Sequence, residues 1–289
     1  DGVRVARFTL TSSEGWLDPS TLRLSMKLHN TGAGTLQLAS GPWCLFQQLR
    51  LLIGGQEVER ITQYGRQHEL FRHLLMPNAW NIESSVEDGT QYDANSYPQV
   101  QPKVIGPGQS LSLNLTPLLG LLSCGKFLPL RYMGGMTLEF TLANAAEALH
   151  PNSASQLYNV EQAQMRMATV RLDSALENSF SSMLLQNRKL PFNIRTIHCQ
   201  EAALPAGNTE VSVSMVRALS RLAGLFVTFI GPQTYVDANG VTQNTPATLR
   251  HLHKSFLNPS ATITGVPVNA ADEATMSWSL QIGPKVYPE

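Results

Sequence analysis

Charge is scarce in this 289-residue chain: 15% of residues are charged, and 21 basic side chains balance 21 acidic ones. With no net charge, no long-range field draws the protein to nucleic acid, a lipid surface or an acidic substrate. A near-neutral surface also lacks the repulsion that keeps copies apart, so it tolerates close association. Cysteine is scarce too. Cys44, Cys124 and Cys199 lie far apart, which excludes a disulfide scaffold and supplies no pair at metal-ligand spacing. They read as small buried hydrophobes of a reducing compartment. No apolar run reaches membrane-spanning length, since the greasiest stretch, Leu115 to Leu122, is short and holds Pro117. The chain opens Asp1-Gly2-Val3-Arg4, with neither initiator Met nor signal peptide, as expected of a processed chain or an excerpt of a longer one.

What is present is strand signal. Leu22, Leu24, Met26 and Leu28 alternate with Arg23, Ser25 and Lys27, the period-two pattern of a half-buried strand. Val3, Val5, Phe8 and Leu10 form an interrupted version. Leu49, Leu51 and Ile53 lead to Gly54-Gly55 and the return strand Gln56 to Ile61, a hairpin. Leu111, Leu113 and Leu115 repeat the pattern, and Met136, Leu138, Phe140 and Leu142 alternate with Thr137, Glu139 and Thr141. Two patches have helical spacing: Tyr64 to Leu75, stopped by Pro77, and Leu176 to Leu185, with Leu176, Phe180 and Leu184 four apart. Val160 to Leu172 fits a strand or part of a helix, the strand being favoured, and Phe192 to Ile197, Val211 to Val216, Leu222 to Ile230 and Met276 to Ile282 read as strands.

Two long polar excursions, Asn78 to Gly108 and Gln233 to Asn269, interrupt the strands. Loops of that length normally have a task. The Ala/Asn/Ser-rich stretch Asn144 to Gln156, which holds Pro151, is the best boundary. It divides the chain into residues 1–146 and 147–289. Strands linked this way argue for two antiparallel sandwiches over a βαβ sheet.

Chemistry-bearing motifs are weak. His251-Leu252-His253 lacks a third ligand at useful spacing, and His68 and His73 share no helix face. Ser123-Cys124-Gly125 resembles no nucleophile elbow. Gly54-Gly55 and Gly134-Gly135 lack the spaced residues of a phosphate cradle and read as tight connections. Glu83, Glu87 and Asp88 read as wet loop carboxylates. No catalytic, cofactor or metal residue is assigned. Among aromatics, Trp16, Trp43 and Trp80 sit beside turn residues, and Trp278 is in phase with a strand. Trp80, with Tyr92 or Tyr97 in the same excursion, is the expected subunit anchor, because rigid aromatics dominate interface energetics.

The run Phe127-Leu128-Pro129-Leu130-Arg131-Tyr132-Met133-Gly134-Gly135-Met136, its strand to Leu142, and then Tyr158-Asn159-Val160 resemble the junction between the two rolls of double jelly-roll major capsid proteins. Trp278-Ser279-Leu280-Gln281-Ile282-Gly283, followed by Lys285 and Tyr287-Pro288-Glu289, resembles a segment of the second roll. The resemblance implies an all-β fold of two antiparallel jelly-roll sandwiches side by side, with long inter-strand loops and short helices. It implies a non-enzymatic shell protein without cofactors, assembling as pseudo-hexagonal homotrimers in the icosahedral capsid of a DNA virus. Its partners would be neighbouring capsomers and minor capsid or penton proteins, its place the virion, assembled inside the host cell. The second roll counts too few strands, so continuation beyond Glu289 is expected. Two other classes compete: a jelly-roll carbohydrate-binding or cupin-like protein, against which the missing His-x-His-plus-Glu constellation speaks, and a viral spike or receptor-binding module.

Overall fold

The apolar alternation at Leu22 to Leu28 sets the frame of the fold. In the computed structural model these residues lie in β2 (Trp16–Asn30), with Leu22, Leu24, Met26 and Leu28 buried and Arg23, Ser25 and Lys27 on the opposite face. The structure describes residues 4–11, 15–73, 87–92, 100–150, 153–202, 212–214, 221–226, 234–236, 242–244, 279–282 and 285–287.

Two antiparallel sheets carry the first part of the chain. One has the order β1-β10-β4-β5, built from β1 (Val5–Leu10), β4 (Phe46–Ile53), β5 (Gln56–Thr62) and β10 (Met136–Leu142). The other has the order β11-β2-β9, built from β2, β9 (Ser110–Leu115) and β11 (Tyr158–Val170). Inward residues of both sheets, among them Leu24, Leu28, Leu113 and Leu115 from one and Leu49, Leu51, Leu138 and Phe140 from the other, join a single buried cluster. Each such fully buried side chain contributes about 2 kcal/mol by leaving water.

Turns follow the sequence signals. Gly54 and Gly55 join β4 to β5 with φ of 55° and 82°, a pair of left-handed residues matching a type I′ hairpin. The Gly54 amide donates to the Gly135 carbonyl at 3.1 Å, so the β4–β5 hairpin and the entry to β10 are tied together. At the other end of β2, Asn30 is fully buried. Its Nδ2 donates to the carbonyls of Gly34, Ile105 and Gly106, while its Oδ1 accepts from the Gly32 amide. One side chain therefore organises the turn and ties it to β8 (Val104–Ile105), which pairs with β3 (Leu36–Gln37). A further short pair joins β6 (Thr90–Tyr92) to β7 (Val100–Pro102).

The resemblance motif acquires a structural meaning here. Leu17 and Leu128 exchange backbone hydrogen bonds of 2.8 and 2.9 Å, tying the 127–132 segment to β2. Leu130 is buried in a 3₁₀ turn, Leu130–Tyr132, and Gly134 and Gly135, both at positive φ, lead into β10 in the other sheet. The segment thus connects the two sheets.

The expectation of an all-β chain made of two jelly-roll sandwiches side by side does not hold. The structure is mixed α/β, with α1 (Tyr64–His73), α2 (Ala145–Ala148) and α3 (Ser174–Leu185) among its described residues. The sheets are partial, of four, three and two strands. Local chemistry explains the helices. In α1 the residues Tyr64, Gly65, His68 and Glu69 are buried, one face at helical spacing. In α3 the Asp173 side chain accepts from the Ala175 amide and Glu177 occupies the first turn, favourable to an N-terminus. Past α3, Phe192 to Ile197 keeps its strand alternation but joins no ladder, and residues 212–214 and 221–226 form no strand.

β11 pairs along its length with β2, from Tyr158 opposite Asn30 to Val170 opposite Trp16. Ala148 and Leu149 are buried in the same cluster. By its contacts the chain separates into compact units of residues 1–225 and 226–289. Of the second, two hairpins are described: β12 (Thr234–Val236) with β13 (Thr242–Asn244), and β14 (Leu280–Ile282) with β15 (Lys285–Tyr287).

Candidate assembly surface

Among the described strands, the thirteen-residue β11 lies at the edge of its sheet. Such an edge offers unpaired backbone groups to another chain, and proteins blunt it with bulges. Here the register shifts twice, between Glu161 and Gln164 and between Arg166 and Ala168, and Gln162 adopts φ 51°. The first irregularity opens a shallow depression of about 240 Å³ lined by polar residues including Ser25, Lys27, Ser112, Asn114, Gln164 and Arg166. The bulges twist β11, and the depression lies on the sheet face that β9, β2 and β11 share.

At the end of this sheet where Trp16 meets Val170, α3 packs through Phe180 against Trp16, with ring centroids 5.0 Å apart. The Ser181 hydroxyl lies 2.9 Å from that of Tyr132, and Arg131 donates to Glu177 at 2.6 Å. No residue of α3 is fully buried. Leu185 is 86% exposed and Leu176 49%, and the neighbouring 127–132 segment leaves Phe127 at 46%. At the opposite end, where β11 begins, Leu157 is 64% exposed. Exposed apolar side chains thus occur near both ends of β11, Leu157 at one and Phe127, Leu176 and Leu185 toward the other.

The outer face of the four-stranded sheet carries a charge row. Arg7 and Arg50, from the strands flanking β10, both donate to Glu139, at 2.7 and 2.8 Å. Arg50 and Arg60 both donate to Glu57, each at 2.7 Å. The bond from Arg7, followed by that from Arg50, holds the Glu139 carboxyl below the usual range.

Buried polar groups gather under α1. Glu69 Oε2 accepts from Ser40 Oγ at 2.5 Å and from Trp43 Nε1 at 2.6 Å. The His68 ring stacks on Trp43 with centroids 4.5 Å apart, and Arg72 lies over that indole and pairs with Asp88. The bond between His68 Nε2 and the Thr116 carbonyl, at 3.1 Å, fixes the tautomer: a carbonyl only accepts, so Nε2 carries the hydrogen. Nδ1 is then bare, with no hydrogen-bond partner among the described residues. Burial pushes the His68 pKa down to about 4 against the opposing Thr116 bond, and the Arg72 charge adds to the lowering. These contacts brace α1 against the 40–43 segment, and among the described residues no group of three metal-ligating side chains occurs.

The expected interface anchors fare unevenly. Trp80 and Tyr97 lie outside the described residues; Tyr92 ends β6 opposite Val100. His251 and His253 also lie outside them. Trp16 and Trp43 belong to the interior, not to turns at a surface. Asp88, read as a wet carboxylate, is buried in its ion pair. Sequence reasoning missed Glu59, a carboxylate in a strand that faces inward, because a single charge beside Val58 and Ile61 gives no periodic signal.

No protein-family model matches the sequence, and no curated protein matches it. Among solved structures the chain is similar to VP54 of PBCV-1, fitted into a cryo-EM reconstruction of the virophage Sputnik, at 19% identity over 61% of this chain and 40% of that one, TM-score 0.41. It is similar to the STIV MCP at 12% identity over 62% and 47%, TM-score 0.35. It is also similar to the cryo-EM structure of the Sputnik virophage at 14% identity over 58% and 44%, TM-score 0.37. The chain spans less than half the length of each of these. They are structures of the family that the sequence resemblance names, the double jelly-roll major capsid proteins of DNA viruses, matched at low identity.

Proposed function

We propose that this chain is a non-enzymatic structural subunit of a virus capsid, acting through contacts with copies of itself. The observation that carries the reading is the edge strand β11 with exposed Leu157 at one end and exposed Leu176, Leu185 and Phe127 at the other. A second copy covering these side chains would remove apolar area from water without rearranging either core. The balanced charge opposes such approach little. The resemblance carried by residues 127–142 and 278–289 supports the capsid version, with trimeric capsomers in an icosahedral shell and neighbouring capsomers as partners. The 78–108 excursion, with Trp80, Tyr92 and Tyr97, is the second contact region in this reading.

Sedimentation of the purified full chain over a range of micromolar concentrations, with electron microscopy of the same samples, tests it. Trimers that condense into closed or sheet-like arrays are expected. A monomer at every concentration, or stoichiometric binding of a glycan or metal, would replace it with another reading.

A further inference from the structure

Residues 190–199 cross the first unit in extended form without joining either sheet. Within them, Phe192, Ile194 and Ile197 pack partly buried against the core, while Arg195 and Thr196 are exposed. The main chain of the segment meets the body at Glu59 and Gly120. The buried carboxylate of Glu59, on β5, accepts from the Ile197 amide through Oε1 and from the Gly120 amide through Oε2, each at 2.9 Å. Gly120 makes the close approach possible: a methyl group there would stand 1.7 Å from the Arg195 carbonyl oxygen. Gln67 Nε2 adds a bond to Cys199 Sγ at 3.1 Å.

The segment differs in kind from what lies beneath it. The body strands share continuous ladders, and lifting one would break many bonds at once. Residues 190–199 have no ladder to break. They follow the end of α3, where Asn187 adopts φ 58° and Asn187 and Arg188 bond back to Leu184 and Met183. That helix end fixes where the extended run begins.

We propose that residues 190–199 are a strap that opens as a unit from an otherwise folded body, and that Glu59 and Gly120 are its latch. Closed, the strap covers the apolar surface around the Leu119 to Leu122 turn and β5. Open, it uncovers that surface and frees the Arg195 main chain.

Gly120→Ala tests this directly. Gly120 is not at positive φ, so alanine fits the local backbone, and the three atoms nearest its methyl all belong to the strap, at Arg195 and Thr196. Amide hydrogen exchange is read on the full chain together with trypsin cleavage after Arg195. The expected result is at least tenfold faster exchange at Ile197 and faster cleavage at Arg195, with protection in β2, β4 and β10 unchanged. Glu59→Gln, which replaces one of the two acceptor oxygens by a donor, should move the same two readouts in the same direction and serves if the alanine variant does not fold. Native-state exchange of the unaltered chain in low urea should likewise show Ile197 opening before the body strands. Equal loss of protection in strap and body would overturn the proposal, as would unchanged exchange at Ile197.

Discussion

Acid should weaken this fold through His68. The ring is buried, its Nε2 hydrogen is committed to Thr116, and its Nδ1 has no acceptor among the described residues. The groups facing it are Trp43, Tyr64, Glu69 and Arg72. A proton placed on Nδ1 would be a buried charge near a guanidinium, so the folded state holds the ring neutral down to about 4, against 6.5 for an ordinary imidazole. The sign follows: below pH 6.5 the unfolded chain binds a proton that the fold refuses, so stability is complete above that value and falls until about 4. At 1.36 kcal/mol per pH unit the full loss is roughly 3 kcal/mol, of which roughly 2.5 is gone by pH 4.5. Urea unfolding at pH 7.5 and 4.5, followed by tryptophan fluorescence, measures it. Other carboxylates titrate in the same window, so the comparison is with His68→Phe, which keeps a ring on Trp43 and removes the titration. The stability difference between the two proteins should shrink, then favour the variant, by roughly 2.5 kcal/mol as the pH falls. An equal pH dependence in both proteins would refute the reasoning.

Other outcomes follow from the packing. Phe140→Ala, at a fully buried ring touching Phe46, Tyr64 and Phe8, should cost about 3–5 kcal/mol in urea unfolding. Gly41→Ala would set a methyl 2.3 Å from the buried Trp43 indole and should cost about 1–3 kcal/mol, with a changed tryptophan emission. Gly55→Val places a β-branched residue at φ 82° and should cost about 1–2 kcal/mol, read as a lower thermal midpoint. Leu185→Glu, at the most exposed large apolar residue among those described, should leave the thermal midpoint unchanged and shift sedimentation toward smaller species.

Much of the first unit is legible in the sequence because its strands bury one face. Period two at Leu22 to Leu28 and at Met136 to Leu142 fixes both the strand and its inward side. Paired glycines at 54–55 mark a hairpin for the same local reason. The legibility fails where periodicity is real but its partner is not adjacent. Phe192 to Ile197 alternates as a strand would, yet its backbone is fixed by the Glu59 carboxylate and the gap at Gly120, which no local pattern encodes. The linker signal at 144–156 is compositional. It did not foretell that Ala148 and Leu149 enter the core or that Leu149 bridges to Leu38. The polar residues of α1 hide a brace for a similar reason: Glu69 and Arg72 look like surface charges until Trp43, Ser40 and Asp88, from distant positions, are brought to them. Of the proposed assembly surface, the helical spacing of Leu176 to Leu184 is visible in the sequence, but which side of α3 faces water depends on Trp16 and Tyr132.

Self-association through the β11 and α3 surface is the proposed mode of action of this chain. The most direct measurement is the solution mass of the full chain beside that of a Leu176→Glu/Leu185→Glu variant, across concentration. The account predicts defined oligomers for the unaltered chain and smaller species for the variant, with both equally folded by circular dichroism. A unaltered chain that stays monomeric, or a variant whose oligomers match it, would contradict the account.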